Sequence, residues 1–245
     1  MHRFIIEDLC APGVLAPLPT EEAHHAVQVL RLHEGDEVVL LDGVGGVFAA
    51  TLETVEKQRV LARVGQTLPD HEPETRVTLY QGVAKGEKMD WIIQKTTELG
   101  VHAIQPVLFS RCVAQQEGKH ASLKQARYRK IAEGAMKQCG RGHLPLIGQA
   151  QPLEALLPRM ASHACTLVPW EEARAVGVGA MLAKVGYPRD IGLVIGPEGG
   201  IAPEEIAQMA QRSIQPVTLG ARILRTETAG LAALVMILSN AGDMA

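Results

Sequence analysis

The chain of 245 residues is 47% hydrophobic and carries a formal net charge of −3 at pH 7. This length accommodates one large domain or two smaller ones, and the composition is typical of a globular protein. The longest apolar run near the C-terminus, residues 229–238, is well short of the ~20 residues that a membrane-spanning helix needs. Acidic residues interrupt the N-terminus where a signal peptide would be apolar. The sequence therefore predicts a cytoplasmic protein without a membrane anchor.

The first 70 residues favour strands. Short alternating stretches, "RFII", "DEVVLL", "VFAATLETV" and "RVLARVGQTL", surround one helical segment, "EEAHHAVQVLRL". This pattern predicts a small β-barrel or a mostly-β module with one helix. The segment "PDHEPET", residues 69–75, contains two prolines, three acids and no apolar anchor. We therefore place the end of a first domain, residues 1–70, at this segment.

Strands and helices alternate in the second domain, residues 74–245. Strand-like runs "VTLYQGV", "AIQPVLF", "CTLVPW", "IGLVIG" and "PVTLG" are separated by helical segments that begin near Glu87, Lys119, Glu171, Pro203 and Thr226. Such alternation predicts a mostly parallel sheet with helices on both faces, whose ligands bind at the carboxyl ends of the strands. Neither a dinucleotide-binding G-x-G-x-x-G nor a phosphate-binding G-x-x-x-x-G-K-[ST] motif occurs in the required context.

Charge is distributed unevenly along the chain. Residues 1–75 contain 5 lysines and arginines against 13 acidic residues, a net charge of −8, whereas residues 85–143 contain 11 against 5, a net charge of +6. The basic block indicates an anionic partner, with a solvated helical face as the alternative. Helical spacing within this block predicts one basic face, formed by Arg127, Lys130, Lys137 and Arg141.

The cysteines indicate neither a disulfide framework nor a metal site. They are scattered, without a C-x-x-C pair and without a histidine at zinc-binding spacing. We expect reduced thiols and no bound metal. The four residues are Cys10, Cys112, Cys139 and Cys165.

Two loops near the C-terminus carry the functional signal. In "LVIGPEGGIAPEEI", residues 193–206, an apolar strand breaks at Gly196 and a helix starts at Pro203, and the glycines between them permit a ligand to approach the backbone. An ordinary strand-to-helix connection is the alternative for this loop. In "LGARILRTETAGLAALVMIL", residues 219–238, two arginines flank an apolar pair before a helix whose predicted N-cap is Thr226.

These two motifs in this order resemble the closing motifs of the SPOUT superfamily, and in particular of the 16S ribosomal RNA uridine N3-methyltransferase family. "KGEKMDWIIQKTTELGV", residues 85–101, "KQCGRGHLP", residues 137–145, and "HHAVQVLRL" in the first domain are also similar to that family. The resemblance extends over nearly the whole chain. It implies an S-adenosylmethionine-dependent methyltransferase that modifies N3 of a uridine in the 16S rRNA of the small ribosomal subunit.

The resemblance also implies a fold and a cofactor site. The fold is an N-terminal PUA-like β-barrel that binds RNA, followed by a SPOUT α/β domain with a C-terminal trefoil knot around S-adenosylmethionine. Family members are similar in forming homodimers through their C-terminal helices, and the apolar stripe of Leu231, Leu234 and Leu238 suits such a dimer or a monomer core equally. The implied cofactor residues are Trp170, Glu171, Ile195, Gly196, Pro197, Glu198, Gly199, Leu219, Gly220, Ile223, Leu224 and Thr226.

The implied reaction requires loss of the uracil N3 proton and stabilisation of charge on two flanking oxygens, without a covalent intermediate. Arg222 and Arg225 are predicted to hold those oxygens or the adjoining phosphate, and a structural bridge to the last helix is the alternative for Arg225. Glu227 and Glu198 are the carboxylates placed to take the proton. The sequence does not choose between them and a water, and a loop-stabilising role is the alternative for Glu198.

The same resemblance, with the basic block, assigns an RNA surface. Its predicted residues are Arg3, Arg31, Lys85, Lys88, Arg111, Arg127, Lys130, Lys137 and Arg141. Two features depart from the family. The first domain is acidic, and Ala202 stands where members often carry a serine that caps the following helix.

Other functions compete with this prediction. Cys139 and His143 lie four residues apart and suggest a thiol hydrolase or covalent catalyst, although no orienting partner accompanies them. A non-catalytic RNA-binding or ribosome-assembly factor with an inactive knot also fits. The nearest rival is an enzyme of the same fold that methylates a ribose 2′-oxygen or another base.

Overall fold

The computed structural model describes residues 1–7, 11–57, 59–112, 119–173 and 176–244. The chain divides into two compact units. The first unit consists of Met1–Glu72 and Glu133–Leu144, and the second of Pro73–Ala132 and Pro145–Ala245. The sequence placed all residues from 74 onward in one domain. The structure differs in assigning Glu133–Leu144 to the first unit.

The first unit is built on a five-stranded sheet with the strand order β1-β3-β4-β5-β2. β1 runs parallel to β3, and the other neighbouring pairs are antiparallel. Between β2 and β3 a short helix continues into one π-helical turn. The elements are β1 His2–Ile5, β2 Leu15–Pro17, α1 Thr20–His24, the π-helical turn His25–Val29, β3 Glu37–Leu41, β4 Val47–Glu56 and β5 Arg59–Thr67.

This sheet is open among the described residues, which agrees with the mostly-β module that the sequence pattern allowed and differs from the barrel that the family resemblance implied. β1 and β2 form its two edges. The sequence did not identify β2, which is only three residues long and ends at Pro17. A proline has no N–H to donate to a further strand, so it suits the edge of a sheet.

The core of the first unit lies on both faces of the sheet. Val38 and Leu40 of β3 belong to one hydrophobic cluster, and Val39 and Leu41 belong to a second cluster that includes Met136. Successive residues of a strand point to opposite faces. Because both faces are covered, this strand is a continuous apolar run rather than an alternating one.

The second unit contains a sheet of seven strands, in which every pair is parallel. Six strands follow the order β12-β10-β11-β6-β7-β8, and β9 pairs with β7 beside this path. All five strand-like runs of the sequence are strands here, which confirms the predicted parallel α/β sheet. The strands are β6 Arg76–Gly82, β7 Ala103–Leu108, β8 Leu146–Ile147, β9 Gln151–Pro152, β10 Cys165–Pro169, β11 Asp190–Ile195 and β12 Gln215–Val217.

Six helices accompany these strands in the described part of the chain. They are α2 Lys88–Glu98, α3 Lys119–Cys139, α4 Leu153–Ser162, α5 Val178–Val185, α6 Pro203–Ala210 and α7 Thr226–Ala241. The sequence did not predict α4. The helix expected near Glu171 begins only at Val178. No described helix combines the length and the apolar character needed to cross a membrane.

The order of the last three strands positions the site. β11 and β12 are consecutive in the chain, yet both pair with β10, one on each side. The chain therefore reverses its direction of travel across the sheet between them. Such a reversal opens a crevice at the carboxyl ends of the strands, where ligands of α/β sheets bind.

Candidate functional site

A cavity of about 420 Å³ lies at the carboxyl ends of β10, β11 and β12. Small-molecule sites typically have volumes of roughly 300–1,000 Å³, so the size is that of a ligand pocket. Its walls are the loops that follow these three strands, the first turn of α7 and the side chain of Lys88 from α2. All twelve residues that the sequence assigned to a cofactor line this cavity. Their contact with a cofactor stays a prediction.

The loop after β11 forms one wall and is held in a tight turn. The Gly200 N–H donates to the Pro197 carbonyl over 2.9 Å. Gly200 has a φ of +71°, a conformation that side chains with a Cβ adopt at a cost. A Cβ added to Gly196 would lie 2.7 Å from Ile201 Cγ1, so the chain packs closely on itself here. The glycines of this loop are therefore required by its own geometry.

The loop after β12 forms the opposite wall. Gly220 has a φ of +110°, and a Cβ at this position would meet no atom within 4 Å. Its N–H donates to Thr218 Oγ1 over 3.1 Å, which closes the turn. Ile223 is 83% exposed although it is a large apolar residue, and Leu224 is partly buried. The Ile223 side chain adds exposed apolar surface to the cavity lining.

The helix after the first loop is capped despite the absence of a serine. The Ala202 N–H donates to Glu205 Oε2 over 3.0 Å, and the Ser110 N–H donates to Glu205 Oε1 over 2.7 Å. Glu205, at the third helical position and 7% exposed, therefore supplies half of a capping box. It also ties the loop after β7 to the start of α6.

Thr226 does not cap α7, so the N-cap prediction was wrong by one residue. Thr226 is the first residue of the helix, and Arg225 occupies the N-cap position without a side-chain hydrogen bond. The Thr226 hydroxyl donates instead to the Gly196 carbonyl over 2.6 Å. It thereby joins the start of α7 to the loop after β11.

The two predicted carboxylates meet at one lysine. Lys88 Nζ lies 3.4 Å from both Glu198 Oε1 and Glu227 Oε2. Burial disfavours the charge of Glu198, but hydrogen bonds from the Lys85 backbone N–H and Lys88 outweigh it and hold the pKa of Glu198 below its usual range. Glu198 lines the cavity, whereas Glu227 is not among the lining residues. The sequence analysis had placed Lys88 only on the predicted RNA surface.

Both predicted arginines line the cavity. Arg222 and Arg225 are exposed, and among the described residues neither side chain has an ion-pair partner. This arrangement does not support the alternative of a bridge from Arg225 to α7. It leaves two positive charges at the cavity that are available to an anionic group.

The other RNA candidates of the second unit differ in their partners. Arg111 is exposed and donates from a guanidinium nitrogen to the Gly199 carbonyl over 3.3 Å. Arg127 forms an ion pair with Asp90, and Lys130 is exposed on α3. These positions are compatible with contact to phosphates, which stays a prediction.

Arg141 contradicts the predicted basic face. α3 ends at Cys139, and Gly140 follows it with a φ of +84°, so Arg141 is not part of the helix. Its side chain is 6% exposed and binds both carboxylate oxygens of Glu72, at 2.8 and 2.5 Å. The prediction was wrong because it continued the helical spacing beyond Cys139, where α3 ends. Arg141 is a buried structural residue of the first unit.

The remaining candidates of the first unit are also partly engaged. Arg3 donates to the carbonyls of Lys137 and Gln138, at 3.0 and 2.9 Å, and so satisfies acceptors at the end of α3. Lys137 forms an ion pair with Glu22 at 2.6 Å. Arg31 is exposed and has a φ of +55°, one residue after Leu30, the C-cap of the π-helical turn. The contact of Arg31 with RNA stays a prediction.

The structure does not support a cysteine nucleophile. Burial raises the pKa of the Cys139 thiol, and its Sγ–H donates to the Met136 carbonyl over 3.6 Å. A nucleophilic cysteine requires the opposite, a lowered pKa. Cys112, Cys139 and Cys165 are free thiols, and Cys10 lies outside the described residues. The described residues contain no group of three or more His, Cys, Asp or Glu side chains that would hold a metal ion.

Comparisons with known proteins identify two families along the chain. The family described as "RNA methyltransferase domain" matches residues 71–238, and the family described as "RNA methyltransferase PUA domain" matches residues 18–65. The "Ribosomal RNA small subunit methyltransferase E" of Bacillus subtilis is 35% identical over an alignment of 245 positions, which covers 97% of this chain and 96% of that protein.

Solved structures show the same similarity. The "Ribosomal RNA small subunit methyltransferase E" of Neisseria gonorrhoeae, bound to S-adenosyl methionine, is 33% identical with a TM-score of 0.87, over 98% of this chain and 97% of that one. A Legionella pneumophila protein in complex with the bound cofactor SAM is 32% identical with a TM-score of 0.87, over 97% and 96%. The chain thus has a PUA-like N-terminal domain and an α/β domain, and it belongs to the RNA methyltransferase family.

Proposed function

We propose that the chain transfers a methyl group from S-adenosylmethionine to N3 of a specific uridine in the 16S rRNA of the small ribosomal subunit. The observation that carries this proposal is the cavity at the carboxyl ends of β10, β11 and β12, which gathers all twelve residues assigned to the cofactor from separate loops. The names and the bound cofactors of the similar proteins support it.

The cavity fits the proposed cofactor. Its volume of about 420 Å³ accommodates a molecule of nucleoside size. Leu219, Ile223 and Leu224 supply an apolar wall for the adenine, and the backbone of residues 196–199 supplies hydrogen-bonding groups opposite. When bound, S-adenosylmethionine provides an electrophilic methyl group on a sulfonium.

The chain's own residues then prepare the uracil. N3 carries a proton that has to leave before or during attack on the methyl group, and the negative charge spreads onto the two flanking oxygens. Arg222 and Arg225 are held at the cavity with their charges unpaired among the described residues, and they stabilise that charge. We assign the proton to Glu198 because it lines the cavity, whereas Glu227 pairs with Lys88 and is not among the lining residues.

We also propose the finer architecture and the partners. The reversal between β11 and β12, followed by the return of α7 to pack on α2 and α5, supports a trefoil knot of the SPOUT type. The match of residues 18–65 to an RNA methyltransferase PUA domain supports an RNA-binding first domain, with exposed Arg31 at its surface. Exposed Arg127 and Lys130 supply phosphate contacts. The chain acts in the cytoplasm, where small ribosomal subunits are found.

A homodimer through α7 completes this proposal. The stripe of Leu231, Leu234 and Leu238 suited either a dimer or a monomer core, and two of its three residues are buried. Leu234 and Leu238 are 1% and 0% exposed within the single chain. They are therefore residues of the monomer core. Val235 and Met236 of the same helix are 37% and 38% exposed, and these apolar side chains are the ones available to a second copy.

Nucleoside mass spectrometry tests the reaction. Small subunits that lack the modification are incubated with the protein and S-adenosylmethionine, and the digested rRNA should contain 3-methyluridine. Arg225→Ala should lower turnover more than it weakens cofactor binding, because the lost contact is made chiefly in the transition state. Arg212→Ala is the matched control, since Arg212 is exposed and does not line the cavity.

Two outcomes would contradict the proposal. A 2′-O-methylated or C5-methylated nucleoside as the sole product would assign the chain to a different target on the same fold. Absence of S-adenosylmethionine binding in calorimetry would favour the non-catalytic assembly factor.

A further inference from the structure

A buried glutamine lies beneath the cavity and is not part of its lining. Gln81 is near the carboxyl end of β6, where it pairs in register with Ile195 of β11, and it is 0% exposed. Its Nε2 donates two hydrogen bonds, to Thr226 Oγ1 over 2.9 Å and to the Gly82 carbonyl over 3.0 Å. The methyl transfer described above does not use this side chain.

The single hydroxyl proton of Thr226 determines which groups donate and which accept in these hydrogen bonds. A threonine hydroxyl has one proton, and here it is donated to the Gly196 carbonyl over 2.6 Å. The hydroxyl oxygen can therefore only accept from Gln81, which places the amide NH₂ toward Thr226. The result is a chain of hydrogen bonds that runs from Gln81 through Thr226 to Gly196.

The hydrogen bond to the Gly196 carbonyl restrains the loop after β11. The next residue is Pro197, which has no N–H. The carbonyl is thus the only hydrogen-bonding group of the peptide unit between Gly196 and Pro197. Its bond to Thr226 fixes the plane of that peptide and with it the direction in which the loop leaves β11.

The second bond from Gln81 supports the same loop. It holds the Gly82 carbonyl, and a Cβ added to Gly82 would lie 2.4 Å from Pro197 N. The Pro197 ring therefore rests directly on the Gly82 backbone. The Gln81 amide therefore binds both the backbone of Gly82, on which Pro197 packs, and the hydroxyl of Thr226, which donates to the Gly196 carbonyl.

The opposite atom of the amide is not satisfied. Gln81 Oε1 is buried and has no hydrogen-bond partner among the described residues. An unpaired buried oxygen disfavours the folded state. The contribution of Gln81 must therefore come from its two donated bonds.

We propose that Gln81 is a positioning residue that acts through Thr226 to hold the peptide between Gly196 and Pro197, and so shapes one wall of the cofactor cavity. The identity of the ligand rests on the proposed function. The effect of Gln81 on the loop is independent of the proposed function, because the hydrogen bonds are present without a ligand.

Hydrogen exchange of the protein without cofactor tests the loop directly. Gln81→Met replaces the amide with an apolar chain of similar length, and Thr226→Val removes the hydroxyl. Each should raise exchange at the amides of Gly200 and Ala202 roughly tenfold, the effect of one lost hydrogen bond. The control is Thr96→Val, because Thr96 is also 0% exposed and donates to a carbonyl within α2 instead.

The double variant separates action through Thr226 from an independent effect. If Gln81 acts through Thr226, Gln81→Met combined with Thr226→Val should exchange no faster than the more severe single variant. Calorimetry with S-adenosylmethionine should show the same pattern, with dissociation constants raised roughly tenfold in each single variant. Where Gln81→Met folds poorly, Thr226→Val alone tests the bond to Gly196.

The proposal would be overturned if the amides of Gly200 and Ala202 exchange at the same rate in Gln81→Met as in Thr96→Val. It would also be overturned if the effects of Gln81→Met and Thr226→Val on exchange add in the double variant. A wild-type chain that binds no S-adenosylmethionine would instead contradict the proposed cofactor. The exchange measurement would still decide the role of Gln81 in that case.

Discussion

Replacing Glu205 with alanine should destabilise the second unit strongly. The side chain is 7% exposed and accepts hydrogen bonds from two backbone N–H groups, Ser110 at 2.7 Å and Ala202 at 3.0 Å. A hydrogen bond to a charged group contributes about 1.5–3 kcal/mol, and the variant leaves both donors without this acceptor. The higher helix propensity of alanine offsets only a few tenths of a kcal/mol. We expect a net loss of ~3–5 kcal/mol in the free energy of unfolding.

Urea unfolding followed by tryptophan fluorescence measures this loss. The chain has two tryptophans, Trp91 and Trp170, and both belong to the second unit. Glu204→Ala is the matched control, because Glu204 precedes Glu205 in the first turn of α6 but is exposed. That change removes only a helix-dipole interaction of about 0.3–1 kcal/mol. If Glu205→Ala costs no more than Glu204→Ala, the argument that this carboxylate supports α6 and the loop after β7 is refuted.

Three further predictions concern activity, RNA binding and pH. Cys139→Ser should retain most methyl transfer, because the thiol is half-buried with a raised pKa, and a loss of two orders of magnitude in turnover with intact folding would revive a covalent mechanism. Lys130→Glu should weaken RNA binding and reduce the slope of log K against log salt by roughly 0.7–0.9 for the lost phosphate contact, and an unchanged slope in filter-binding titrations would make it a solvated surface residue. Burial raises the pKa of Tyr80 from 10.0 to about 12, so its contribution to stability is complete below pH 10 and is lost as the pH rises toward about 12. Tyr80→Phe should therefore show a smaller loss of unfolding free energy over this pH range, and an equal loss in both proteins would contradict the assignment.

Local patterns in the sequence located most of the second unit. The five strands were predicted because buried parallel strands are short apolar runs, and their signal is independent of distant residues. Ten of the twelve cofactor candidates came from two motifs, and Trp170 and Glu171 came from the loop after a third strand; the structure gathers all of them in one cavity. α4 was not predicted, although it lies between β9 and β10 and buries Leu153, Leu156 and Met160.

Position in space decided the roles of individual charged residues. Nothing in the helical spacing of Arg141 shows that α3 stops two residues earlier or that Glu72 neutralises the guanidinium. Lys88 was placed on an RNA surface, since the sequence does not show that Glu198 and Glu227 converge on it. Charge contacts between residues far apart in the chain depend on the fold, and each one changes what a charged side chain is free to bind.

The sequence by itself determined the five longer strands of the second unit, the strand-to-helix loops and the family resemblance, because these depend on periodicity and on residues close together in the chain. Only the tertiary structure showed that Gln81, Thr226 and Gly196 form one network, since they are separated by up to 145 residues. It also showed that residues 133–144 belong to the first unit. A buried hydrogen bond depends on the distance and direction between two groups, and separation along the chain specifies neither.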